Sequence, residues 1–128
     1  MTHFDDLSVH TYTRDKAEPG VLNVGWLGKG FSFPRGETPV AFRVALKHLC
    51  EAPIHLHRGF NPCEFCKRDS RDDWAIIGNG QIRVCSEQDV WYAAPTMVHH
   101  YVTEHDYLPP AEFVEAVMNP KRVADDLA

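Results

Sequence analysis

The tripeptide Gly78-Asn79-Gly80, set between the apolar runs Trp74 to Ile77 and Gln81 to Cys85, constrains the fold of this chain more than any other feature. Asn and Gly adopt positive φ at little cost, so two such runs around this turn predict a β-hairpin. A second turn signal, Ser86 to Asp89, follows at once and leads into the run Val90 to Ala93. Three short strands joined by tight turns predict an antiparallel β-meander from about Trp74 to Ala93.

Helical signals flank this meander. Thr38 is a capping residue, Pro39 suits a first helical position, and Phe42, Ala45, Leu46 and Leu49 form one apolar stripe, which together predict a helix over 39–50. Pro95 or Thr96 opens a second helix, over about 95–106. Pro109-Pro110 opens a third, over 110–118, with Phe113, Val114 and Val117 inward and Glu112 near its positive N-terminal end. Upstream, Val21 to Leu27 reads as a strand and Lys16 to Gly20 as a turn. Gly28 to Thr38 reads as a loop whose Phe31 and Phe33 fold back onto the core, and Ile54 to His57 as a short strand. The expected class is α+β: one domain over 1–128, with the meander, about three helices, and flexible ends at 1–20 and 119–128.

Charge narrows the choice of partners. Against 18 acids stand 13 bases, a net of -5, and an acidic surface repels phosphate. Nucleic acid and anionic membranes are therefore disfavoured. Met1 to Asp6 lacks the apolar segment of a signal peptide, and the longest apolar run, Val90 to Ala94, is far short of the ~20 residues that span a bilayer. The expected location is the cytoplasm. In that reducing compartment the four Cys read as thiols or metal ligands rather than disulfides.

Cys63-Glu64-Phe65-Cys66 is a C-x2-C pair, and a tight turn can point both sulfurs at one ion. Zn²⁺ bound by two thiolates at about 2.3 Å needs two more ligands to complete a tetrahedron. His100 and His105, an H-x4-H pair on the second predicted helix, can supply them, and mixed thiolate and imidazole ligation favours zinc. His99 diverges from His100 by about 100° on a helix, so the two should not share an ion. His55 and His57 share one face of their strand and are alternative ligands. His3, His10 and His48 read as surface or hydrogen-bonded imidazoles, and Cys50 and Cys85 as buried thiols.

From these residues outward the chain resembles a family of small uncharacterised bacterial proteins. The likeness covers about 54–118 and rests on RGFNPCEFC, GNGQIRV and YAAPTMVHHYVTEHDYLPPAEFVEAV. It implies no particular activity, but it places Cys63, Cys66, His100 and His105 on recurring Cys and His positions. Relatives carry His two residues before the first Cys, where this chain has Asn61. If that His were a ligand, His57 or His55 would have to take its place.

Three functions fit these residues. The leading one is a zinc-stabilised binding or regulatory module without catalysis, acting on a protein or small-molecule partner, with Trp26, Phe31, Phe33 or Trp91 as surface anchors. The second is a metal-dependent hydrolase with an open zinc position and Glu64 or Glu104 as general base. The third is a thiol redox protein using Cys63 and Cys66, which requires the dithiol to open a long helix. No HExxH, GxSxG, Walker or Rossmann motif is present, and Gly25 to Gly30 is a weak candidate for a phosphate cradle.

Overall fold

A computed structural model describes residues 4–13, 16–28, 30–51, 61–62, 77–78 and 80–124 of the chain. Its fold is α+β. In chain order the elements are β1 (Val9–Thr13), β2 (Lys16–Asn23), α1 (Val40–Cys50), β3 (Asn61–Pro62), β4 (Ile77–Gly78), β5 (Gln81–Cys85), β6 (Trp91–Pro95), α2 (Val98–Glu104), α3 (Ala111–Met118) and β7 (Arg122–Val123). Among the described residues, five strands form a mixed sheet in the order β1-β2-β6-β5-β7, and β3 pairs with β4 separately. Among these described strands only β2 and β6 run parallel, with Val21 opposite Trp91 and Asn23 opposite Ala93.

The β5–β6 hairpin forms where its turn signal lies. Asp89 takes φ 64, and Ser86 Oγ accepts from the Gln88 and Val90 amides, both at 3.3 Å. Among the described residues, the expected meander does not extend to a third strand. Ile77–Gly78 pairs with Asn61–Pro62, whereas the second edge of β5 is taken by β7, with Val84 opposite Val123 and Cys85 opposite Arg122. The C-terminal segment thus holds the place the meander strand needed. Trp74 and the residues up to 76 lie outside the described residues.

Other expectations shift for local reasons. Lys16 to Gly20 is strand rather than turn, because it pairs with β1 in an antiparallel hairpin broken by two register shifts. Strand β2 ends at Asn23, not Leu27, and the Val24 amide then donates to the Ala93 carbonyl at 3.0 Å. Near the two ends, Tyr107 donates to Asp6 and β7 joins the sheet. The second helix is shorter than predicted because Pro95 remains in β6, opposite Gln81. Thr38 does not cap α1; its carbonyl and hydroxyl accept from Arg43 instead. Gln81–Cys85 is strand, so no helix runs through it, and the segment that directly follows Cys66 lies outside the described residues.

Helices α1, α2 and α3 cover one face of the sheet. Phe42 and Leu46 of α1, Val98, Tyr101 and Val102 of α2, and Phe113, Ala116 and Val117 of α3 meet Ile82, Val84, Tyr92 and Ala94 from the strands. The helical positions recur at three- and four-residue spacing and the strand positions at two, so each element turns one apolar face to this layer. Phe113 stands edge-on to Phe42 and Tyr92, with centroids 6.2 and 6.0 Å away. Two phenols reach from this layer to carboxylates at its rim. Tyr107 donates to Asp6 Oδ2 at 2.7 Å, and Tyr92 donates to Glu112 Oε2 at 2.6 Å. No helix among the described residues is long and apolar enough to cross a membrane.

Candidate functional site

The three buried positions of α2 fix its rotation, leaving His99 and His100 half-buried at its edges. His99 lies on the α1 side: its backbone is hydrogen-bonded to the Cys50 thiol, and Lys47 and Glu51 act on its ring. His100 lies against His105 instead.

An ideal helix would set residues 100 and 105 about 140° apart. The structure brings their rings together, with centroids 5.0 Å apart and planes at 76°. The cause is the helix end. Helix α2 stops at Glu104, His105 leaves helical geometry at φ -121, and Asp106 takes φ 55. Asp is one of the few residues that enter this left-handed region readily. The Tyr101 carbonyl accepts from the amides of both His105 and Tyr107, each at 3.1 Å, which holds the sharp ending in place.

Electrostatics favour neutral rings at this pair. Burial lowers the His100 pKa and the neighbouring His105 lowers it further, against Glu104. Burial also lowers His105, opposed by Glu104 and assisted by Arg35. A neutral imidazole is the form that binds metal.

His100 and His105 are thus brought together. Cys63 and Cys66, the alternative ligands His55 and His57, and Glu64 lie outside the described residues. Among the described residues, no group of three or more His, Cys, Asp or Glu could hold a metal ion. Of the four ligands expected from the sequence, the described residues include His100 and His105. Cys85 is fully buried in β5 and its thiol donates to the Ser86 carbonyl at 3.5 Å, as a core thiol should. Burial pushes the Cys50 thiol up to about 12, partly opposed by its hydrogen bond to the His99 backbone.

At Gly25 the glycine loop leaves no room for a phosphate. Gly25 has φ 78, a Cβ there would lie 2.7 Å from Val98 Cγ2, and its amide donates to Asp6 Oδ1 at 3.0 Å. Of the four aromatic anchor candidates, Trp26 is buried, donates to the Ala93 carbonyl at 2.9 Å and meets Phe4 edge-on. Phe33 packs against Tyr107 with centroids 6.0 Å apart, and Trp91 lies under Arg122. Phe31 does not fold back onto the core; it is 55% exposed.

Sequence reasoning missed Asp6 and Arg35. Asp6 sits in a polar N-terminal stretch with no periodic signal. Arg35 reaches the neighbourhood of His105 only because Arg35 and Tyr107 form a β-bridge across distant parts of the chain.

Residues 2–118 match the domain of unknown function DUF7919, and the chain belongs to that family. No curated protein and no solved structure matches it.

Proposed function

We propose that this chain is a small domain held together by one zinc ion, bound by Cys63, Cys66, His100 and His105, and that it serves as a binding or regulatory module. The observation that carries the reading is the separation of the two imidazole rings, 5.0 Å between centroids. Two imidazoles on one tetrahedral ion with Zn–N of about 2.0–2.1 Å have ring centres about 5 Å apart.

Thiolates at C-x2-C spacing and two neutral imidazoles form a donor set that suits zinc over harder cations. A structural ion of this kind can add ~10 kcal/mol to folding. That is comparable with the net stability of a whole domain, about 5–15 kcal/mol. A closed set of four protein ligands leaves no position for a reacting water, which is why the reading is a module rather than a hydrolase.

Cobalt substitution tests the ligand set. Loaded with Co²⁺, the protein should show the intense visible bands of a tetrahedral ion and a sulfur-to-cobalt charge-transfer band. Cys66→Ser should weaken the latter band, and His100→Ala should shift the former. A six-coordinate spectrum without charge transfer would overturn the assignment.

A further inference from the structure

We propose that the outer edge of β5 is a docking edge for an extended basic segment of a partner protein, and that the chain's own β7 occupies it as a tethered stand-in. The inference rests on the binding-module reading given above, whose partner it specifies, but it uses no residue of the metal site. The chemistry of the occupant is visible in β7 itself, which shows what the edge recognises.

Recognition here has three parts. The backbone of β5 supplies the first. Its Cys85 carbonyl accepts from the Lys121 amide at 2.9 Å, and its Arg83 carbonyl accepts from the Ala124 amide at 3.0 Å. Such ladder bonds select an extended chain of any sequence. A carboxylate supplies the second part. Asp89 Oδ1 accepts from Lys121 Nζ at 2.6 Å and from Arg122 Nη2 at 3.5 Å. These two cations hold the Asp89 carboxyl below its ordinary range. Asp89 stands in the β5–β6 turn, where its amide donates to the Ser86 carbonyl at 3.0 Å, so the carboxylate is fixed beside the edge.

An aromatic ring supplies the third part. The Arg122 guanidinium carbon lies 5.7 Å from the centre of the Trp91 ring, within cation–π range. The register explains the meeting. Cys85 pairs with Trp91 on one side and with Arg122 on the other, so all three side chains stand on one face of the sheet. Val123 stands opposite Val84. An extended segment with two consecutive cations and then a β-branched residue therefore satisfies every contact. Charge agrees: the chain's net -5 attracts such a segment, and the same carboxylate repels a nucleic acid.

The stand-in is held lightly. Strand β7 is two residues long, and both are exposed. Its ion pairs join side chains that are 46–61% exposed, where such pairs add little stability. Pro120 has no amide to donate, so the pairing cannot extend back towards α3. On the other side of β5, by contrast, five residue pairs join it to β6. A short strand with surface contacts opens at little cost. While closed it competes with a partner at the high effective concentration of a tethered ligand.

The test uses the full chain and a synthetic peptide, Asn-Pro-Lys-Arg-Val-Ala, copied from residues 119–124. Affinity is read by nuclear magnetic resonance titration at the amides of Val84, Cys85 and Asp89. Lys121→Ser combined with Arg122→Ser weakens the tethered strand and should tighten peptide binding about threefold to tenfold over the parent. That is the scale of exposed ion pairs and a cation–π contact. Adding Asp89→Asn should weaken the peptide again by a similar factor. A peptide with Glu at both cationic positions should not bind, a readout independent of any change in the protein. In the parent, the Lys121 and Ala124 amides should exchange with solvent about tenfold or more faster than the buried Val24 amide. Equal affinity in parent and variant, no binding to the variant, binding of the acidic peptide, or equal exchange rates would overturn the proposal. Zinc content measured on the same samples keeps the two readings apart: peptide binding without zinc refutes the metal centre alone, and zinc without charge-dependent peptide binding refutes the docking edge alone.

Discussion

The two faces of the central sheet are built on different principles. The helical face is an apolar layer in which Ile82, Val84, Tyr92 and Ala94 meet side chains from three helices. On the other face, alternation and register place Asn23, Gln81, Cys85 and Ala93. All four are buried there as well, yet two are amides. Directed contacts organise this second face. Asn23 donates to Ser8 Oγ at 3.0 Å, and the Ala93 carbonyl accepts from both Val24 and Trp26. Gln81 Oε1 and Thr96 Oγ1 are buried with no hydrogen-bond partner among the described residues. Nondirectional burial tolerates a change of shape up to the cavity it creates, whereas a directed network loses heavily when one partner is missing.

The comparison is most exposed at Phe113. Phe113→Ala removes a fully buried ring from the helical face and should cost about 3–5 kcal/mol of unfolding free energy in a denaturant titration. A loss below 1 kcal/mol would show that the helices are not seated on the sheet as described.

Next in size is the rim of the same face. Tyr107→Phe leaves Asp6 without its phenol donor and should cost about 1.5–3 kcal/mol, since the bond is charge-assisted and Tyr107 is fully buried. Tyr92→Phe should cost less, because its partner Glu112 is exposed to water. Equal losses would break the distinction between the two pairs.

A thiol at the border of the apolar layer gives a pH signature. Cys50 is raised from 9.0 to about 12, so above pH 9 the unfolded chain releases this proton while the folded chain retains it. Stability should therefore fall by up to about 1.4 kcal/mol per pH unit on this account. The window between pH 9 and 10 isolates it, because Tyr92 and Tyr107 start from 10.0 and are raised further. Cys50→Ala should flatten the slope there; an unchanged slope would place the thiol in water.

The smallest effect belongs to the second face, and its sign is opposite. Gln81→Leu removes a buried amide oxygen that lacks a donor, so it should leave stability unchanged or raise it by about 1 kcal/mol. A loss of 2 kcal/mol or more would mean that Gln81 has a partner that the description of this face lacks.

The same contrast explains what could be read from the sequence. Helices α1 and α3 were legible because their buried residues recur with helical spacing, and β5–β6 because Ser86 to Asp89 encodes its turn. Of strand β2 only Val21 to Asn23 was legible, because Pro19 and Gly20 argue for a turn, and its pairing with β6 joins segments some seventy residues apart. Parallel pairing between distant segments has no local signature. The second face was hidden for a related reason: Asn23 and Gln81 look like surface residues until the register buries them. At the candidate site, the sequence supplied the His100 and His105 pair but ideal helical angles kept the rings apart. Their approach accompanies the departure of His105 itself from helical geometry, at φ -121, which spacing alone does not dictate.

The central claim is that one zinc ion links Cys63 and Cys66 to this histidine pair. The most direct test is elemental analysis of the full chain, purified without a metal-affinity tag, alongside Cys63→Ser, His105→Ala and Cys85→Ser. The account predicts about one zinc per chain in the parent and in Cys85→Ser, and a loss of most of it in the other two, since a thiolate and an imidazole of the tetrahedron are removed. Equal metal content in all four proteins, or none in any, would contradict it.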